Sequence, residues 1–244
     1  MLTRRGALAA GLLGAITLGL GGWRWAGLLL AFFVTSSALS LAFASRKRTL
    51  NEKFAKGSRR DAAQVIANGG LAGVTALAHA LAPEAWWPWV MCAGALAAVN
   101  ADTWATEIGV LSRKPPRWVT NGRVAARGAS GAVTALGLWA SLGGAALLGV
   151  LGAAGAPSEG RIALGVAVTL GGLAGSLLDS LLGATIQAVY YCPQCDGETE
   201  HHPRHTCGTP TTRLRGFRWL ENDRVNLAAA LCGALVAWIL WGIL

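Results

Sequence analysis

The chain has 244 residues, of which 53% are apolar and only 14% charged, with a mean hydropathy of +0.46 and a formal net charge of +9. This composition excludes a soluble globular domain, and the cations sort into alternate loops as a membrane topology requires, so the positive charge does not point to nucleic acid. The expected fold is all-α: one transmembrane domain over 1–244, a polytopic bundle of about seven membrane helices with its N-terminus in the cytoplasm.

Runs of about 18 or more residues with few charges are long enough to cross a bilayer. The first two candidates cover 6–22 and 25–44. The first follows Arg4-Arg5 as a secretory signal would, but no small-x-small cleavage site closes it before Trp23, so it reads as a retained helix. Residues 45–61 form a basic loop, and a third span at 62–82 carries Gln64 and Asn68 near its start and His79 near its end. The two amides are placed to join a polar site at the inner face, whereas His79 reads as an interfacial histidine.

The fourth span, 88–111, contains Asn100-Ala-Asp102-Thr103-Trp104-Ala-Thr106-Glu107. Each carboxylate inside a membrane helix costs about 2.5–3.5 kcal/mol on insertion scales, so acids at this depth read as functional. Asn100, Thr103 and Glu107 share a helical face by their spacing, while Asp102 lies about 200° from Asn100 on a regular helix. Either the helix breaks there or Asp102 faces a different neighbour. A basic loop at 112–130 follows, with Arg113, Lys114, Arg123, Arg127, Gly128 and Ser130. Arginines beside glycines at a helix start suit a phosphate.

The fifth span covers 131–152 and the sixth 162–189. In the sixth, Gly172, Gly175, Ser176, Asp179 and Gly183 fall on one narrow face, with Ser180 beside Asp179, which permits close backbone approach and aims the acid inward. The loop at 190–225 holds Cys192-Pro-Gln-Cys195, His201, His202, His205 and Cys207. Cys192, Cys195, His205 and Cys207 read equally as a structural zinc site or as a set of reduced thiols, while Cys92 and Cys232 read as apolar fillers within spans. The seventh span, 226–244, is preceded by Asn222-Asp223, which suit either helix capping or metal binding.

Orientation follows from the cations. With the N-terminus inside, 19 of the 21 Lys and Arg fall on the cytoplasmic side, where the loops 45–61, 112–130 and 190–225 lie, and only Arg24 and Arg161 fall outside. Trp23, Trp25, Trp86, Trp87, Trp89, Trp238 and Trp241 gather near the outer face and Trp118 and Trp219 near the inner one, as indole rings at headgroup depth should.

Asn100-Ala-Asp102-Thr103-Trp104-Ala-Thr-Glu107-Ile-Gly109, Gly128-Ala-Ser130-Gly131, Gly175-Ser-Leu-Leu-Asp179-Ser180-Leu-Leu-Gly183 and Arg215-Gly216-Phe-Arg-Trp219-Leu-Glu-Asn222-Asp223-Arg-Val225-Asn226 resemble the integral-membrane phytyl-phosphate kinase family of tocopherol synthesis. The likeness runs from about residue 50 to the end. A fainter similarity, through Asp102-Thr-x-Ala105, Lys114-Pro115 and Gly128-x-x-Gly131, leads to phosphatidate cytidylyltransferases and dolichol kinases. The resemblance implies a multi-pass enzyme of the cell (inner) membrane, a CTP-dependent kinase that converts a phytyl or geranylgeranyl monophosphate to its diphosphate with Mg2+. It implies Asp102, Glu107, Asp179 and Asp223 as magnesium ligands and catalytic groups. Asn100, Asn222 and Asn226 would orient these or the nucleotide, and Arg113, Lys114, Arg123, Arg127, Gly128, Ser130 and Ser180 would bind it and its phosphates. The alternatives are a lipid-phosphate cytidylyltransferase and a transporter or flippase; an oligomer is compatible with each.

Overall fold

A computed structural model describes residues 2–43 and 60–244. The basic loop expected at 45–61 therefore lies outside the described residues, apart from its last two. Among the described residues six helices form the body: α1 (Arg4–Ala42), α2 (Ala62–Leu81), α3 (Trp87–Gly109), α4 (Ala135–Ala154), α5 (Arg161–Thr185) and α6 (Asn222–Trp241). The chain is mostly helical, and four of these, α1, α4, α5 and α6, are long and apolar enough to cross a membrane. Gln64, Asn68 and His79 in α2, and Asn100, Asp102 and Glu107 in α3, dilute the apolar character of the other two.

The spans expected at 6–22 and 25–44 emerge as one element, α1, broken at Gly22, whose φ of 75° leaves the helical region. A straight helix of its 39 residues would reach about 58 Å, nearly twice the hydrocarbon core. Instead Leu13 of the first limb and Leu29 of the second both lie against Gly69 of α2, so the chain doubles back. The remaining helices fall within a few residues of the expected spans, the largest displacements being four residues: α4 starts at Ala135 rather than 131, α5 stops at Thr185 rather than 189 and α6 starts at Asn222 rather than 226.

The all-α expectation is corrected in the loops. Arg117–Trp118 (β1) pairs antiparallel with Ala132–Val133 (β2). Within 190–225, expected only as a loop, Val189–Cys192 (β3) is the centre of a three-stranded antiparallel sheet, flanked by Gly197–Thr199 (β4) and Thr212–Arg215 (β5). These strands are two to four residues long and lack the alternating apolar run by which a strand is read from sequence.

At the bundle centre α3 packs against α4, α5 and α6, and Val90, Leu96, Leu148, Leu164, Val168 and a set of alanines are fully buried. Small residues set the spacing, because helices in lipid associate through close packing rather than through the hydrophobic effect. A Cβ on Gly175 of α5 would meet the Ala229 carbonyl oxygen of α6 at 2.5 Å, and one on Gly172 would meet Ala97 of α3 and Ala145 of α4 within 3 Å. The small face read on α5 thus serves three neighbours at once. At one end of the bundle Trp25 stacks on His79 and meets Trp89 edge-on, each at 5.3 Å, and Trp89 Nε1 donates to the Gly152 carbonyl. His79 is therefore packed on an indole, away from the intramembrane acids.

Candidate functional site

The opposite end of the bundle is polar. There the backbone of Thr3 pairs with Arg60, Ser40 near the end of α1 reaches Glu107 of α3, and Ser130 reaches Gln187 just past α5. A cavity of about 350 Å³ opens among these groups. Its lining takes Asp102 and Glu107 from α3, Asp179 and Ser180 from α5, and Asn222, Asp223 and Asn226 from α6. Arg127, Gly128 and Ser130 line it from the loop before α4, and Gln64 and Asn68 line it from α2.

Four acids from three helices therefore face one space. Helix α3 runs unbroken through Asp102, so of the two geometric options the second holds: Asp102 and Asn100 address different neighbours. Glu107 is buried, and its Oε1 accepts a 2.7 Å hydrogen bond from Ser40 Oγ. Asp179 is half-buried, its Oδ2 is buried without a hydrogen-bond partner, and the carboxylates of Asp102 and Glu200 lie within coulombic reach. Mutually repelling carboxylates around an orphaned oxygen are the donor set that a hard divalent cation neutralises, so these residues fit Mg2+. Asn222 and Asp223 occupy the first turn of α6, while the N-cap is Glu221, which makes no side-chain capping bond. The capping reading of the two residues is thus not realised.

Asn100 lies outside this lining. It is fully buried, donates from Nδ2 to the Gly144 carbonyl at 2.9 Å, and accepts at Oδ1 from Thr35 and Ser36. Arg113, Lys114 and Arg123 are exposed on the loop and are also absent from the lining. Arg127 is held differently: its guanidinium donates to the carbonyls of Ser112 and Arg113, which draws the loop into a ring beside the cavity. The expected helix start behind Gly131 is displaced, since β2 intervenes and Thr134 caps α4 by accepting from the Gly137 amide. Gly128 and Gly131 take φ values of +77° and +84°, which bend the loop where a side chain would be strained.

Several lining residues were not legible as such. Ser40 and Arg60 sit beside Glu107, and Tyr190 and Glu200 come from β3 and the chain just after β4. Ser130 Oγ donates to Gln187 Oε1, and Gln187 Nε2 donates to Glu200 Oε1 at 2.7 Å, so the loop, the end of α5 and the small sheet are joined in one chain of hydrogen bonds. Arg215 of β5 adds a second tie, donating to the Ser130 and Gly183 carbonyls while its guanidinium covers the Trp118 ring at 4.9 Å. The Arg215-Gly216 motif offered a signal for this tie; nothing local marked Glu200.

Away from the cavity, Cys192, Cys195, His205 and Cys207 place their sulfur and nitrogen atoms within 4.8 Å of one another. The hydrogen bonds of Cys207 with the Thr209 side chain and backbone, and then with His205, lower its thiol to about 6. Its own contact with Cys195 pushes that second thiol up to about 12.

Known proteins place the chain in a family. The model of the integral membrane protein family DUF92 matches residues 1–234. Protein PGR of Arabidopsis thaliana is 32% identical over 86% of this chain and 79% of its own length. An uncharacterized membrane protein of Methanocaldococcus jannaschii is 27% identical over 98% of this chain and 86% of its own, and one from Synechocystis is 31% identical over 77% and 72%. No solved structure matches. With a family model covering nearly its whole length, and a bundle of long apolar helices to go with it, the chain is an integral membrane protein of the DUF92 family.

Proposed function

We propose that the protein is a CTP-dependent kinase that converts a membrane-embedded prenyl monophosphate, phytyl or geranylgeranyl, to the diphosphate at the cytoplasmic face. The observation that carries this reading is the convergence of Asp102, Glu107, Asp179 and Asp223 with Arg127, Gly128 and Ser130 on one cavity at one end of the bundle. A long isoprenoid stays in the bilayer while its phosphate rests at the interface, so its enzyme needs a polar site at helix ends. In this reading α1 crosses twice about Gly22, giving seven crossings with the N-terminus inside, and the basic loops keep the cavity on the cytoplasmic side.

In the reaction an oxygen of the lipid phosphate attacks the γ-phosphorus of the nucleotide. The bond from that phosphorus to the β,γ-bridging oxygen breaks, and CDP leaves with the electron pair. Phosphoryl transfer asks mainly for positioning and charge neutralisation. The acceptor is already an anion, so no strong general base is required, in keeping with a cavity lined by acids, amides and hydroxyls. Mg2+ held by Asp102, Glu107, Asp179 and Asp223 would supply charge neutralisation of the triphosphate. Arg127 and the Gly128–Ser130 backbone would bind phosphate oxygens, and Asn222 and Asn226 would orient the nucleotide.

A lipid-phosphate cytidylyltransferase would use similar groups and release pyrophosphate. A transporter would want its acids spread along a path, whereas Asp102, Glu107, Asp179 and Asp223 share one end. The test is a nucleotide panel against phytyl, geranylgeranyl and farnesyl monophosphates with purified protein, products identified by mass. CDP with a lipid diphosphate is the expected outcome. A CDP-lipid with pyrophosphate would move the assignment to the cytidylyltransferase, and no turnover of any pair would end it.

A further inference from the structure

The sheet of β3, β4 and β5 cannot hold itself together by apolar burial. Within the stretch 188–220 the buried apolar side chains are Ala188, Val189, Tyr190, Cys192 and Leu220, and the strands are three or four residues long. Segments this small need a staple such as a metal or a disulfide. Two tight turns supply the means. The first carries Cys192-Pro-Gln-Cys195 and closes through Asp196 at a φ of 47°; the second carries His205-Thr-Cys207 and closes through Gly208 at 86°, with the His205 amide donating to Thr209 and the Gly208 amide to His205. The turns face each other across the sheet end.

We infer that Cys192, Cys195, His205 and Cys207 bind one structural Zn2+ through three sulfurs and the His205 Nδ1, and that this metal holds the sheet whose Glu200 and Arg215 anchor the cavity loop. The geometry is that of a tetrahedral site. Zn–S bonds of 2.3 Å and Zn–N bonds near 2.05 Å at tetrahedral angles require about 3.8 Å between sulfurs and about 3.6 Å between sulfur and nitrogen. The Cys192 and Cys207 sulfurs stand 3.6 Å apart, and His205 Nδ1 stands 3.4 Å from Cys195 and 3.3 Å from Cys207. Binding takes three thiolates and one neutral imidazole, so the occupied site carries a charge of −1. Four protein ligands close the coordination shell, which makes the site structural rather than catalytic.

The consequence for the cavity runs through two side chains. Glu200 follows β4 and receives Gln187, which in turn receives Ser130; Arg215 ends β5 and grips the Ser130 and Gly183 carbonyls. Loss of the metal would free both at once. The zinc site stands without the kinase reading; only the effect on the cavity rests on it.

The test uses the full chain purified in detergent without chelators, with metal content measured by inductively coupled plasma mass spectrometry. One Zn per chain is expected, with loss in Cys192→Ser and Cys207→Ser and retention in Cys92→Ser and Cys232→Ser. Should the two ligand variants fail to fold, the wild type grown with cobalt in place of zinc gives the same information. It should show the thiolate charge-transfer and visible d–d absorption of tetrahedral Co2+. Stripping the metal should raise the rate of proteolytic cleavage within 190–215, a readout independent of turnover. Sub-stoichiometric Zn together with no cobalt spectrum, or a Cys192–Cys207 disulfide in the purified protein, would overturn the inference. An intact zinc site in a protein that turns over no prenyl phosphate would leave it standing while removing the kinase reading.

Discussion

The Asn100 side-chain amide donates a 2.9 Å hydrogen bond to the Gly144 carbonyl oxygen, fixing the centre of α3 to α4 from a fully buried position. Its Oδ1 meanwhile accepts from Thr35 and Ser36 of α1. One amide thus joins three helices, two positions before Asp102 and seven before Glu107 on α3, with both of its polar atoms engaged. Asn100→Ala leaves a carbonyl and two hydroxyls without that partner and should lower stability by about 1–3 kcal/mol, moderated at Thr35, whose hydroxyl also bonds within its own helix. Thermal inactivation in detergent reads this. Turnover per folded molecule should stay near that of wild type, and a selective loss of turnover at unchanged stability would return Asn100 to the nucleotide site.

The acids should behave in the opposite way. Asp102→Asn and Asp179→Asn keep volume and remove charge from half-buried positions that face the cavity. Turnover should fall by about 100-fold or more, as loss of a group that stabilises transferring charge does, while thermal stability holds or rises because carboxylate repulsion is relieved. Omitting Mg2+ from the assay should abolish wild-type turnover, and adding it back should restore it. Prenyl-phosphate turnover that survives in both variants would remove these acids from the chemistry.

How much of this could be read beforehand depends on range. The helices were legible because apolar length is a local property, and the motifs around Asp102, Asp179 and Asp223 marked cavity residues because an acid in an apolar run is conspicuous on its own. Asn100 stood in the same motif, yet only its neighbours Thr35, Ser36 and Gly144, each more than 40 positions away in sequence, turn it toward packing. Glu200 and Gln187 were illegible for the same reason, since they gain meaning from a sheet of short strands that carries no periodic signal. The break at Gly22 was legible as the boundary between the apolar runs 6–22 and 25–44, whereas the meeting of both limbs of α1 at Gly69 joins positions too far apart in sequence to be read locally. The four Cys and His residues lay between these cases: their spacing named the set, and the fold adds that their ligand atoms come within 4.8 Å of one another.

Close approach at the end of α5 makes a separable prediction about the loop. A Cβ on Gly183 would stand 2.6 Å from Ser130 Oγ and 2.9 Å from the Gly131 amide, and the loop backbone on one side and α5 on the other leave it little room. Gly183→Ala should therefore push the 128–131 segment off the cavity, costing about 1–3 kcal/mol of stability by overpacking. It should also raise KM for the nucleotide by about tenfold, since a displacement of roughly 1 Å in a phosphate-binding element is expensive in positioning. Gly143 on α4 serves as the control: its nearest neighbour, the Trp104 ring, would lie 3.7 Å from an added Cβ. Gly143→Ala should gain about 0.5–1 kcal/mol from helix propensity and leave KM unchanged. If the two variants gave the same KM, the 128–131 segment would not be holding the nucleotide, and Arg127 would lose its assigned role along with Ser130.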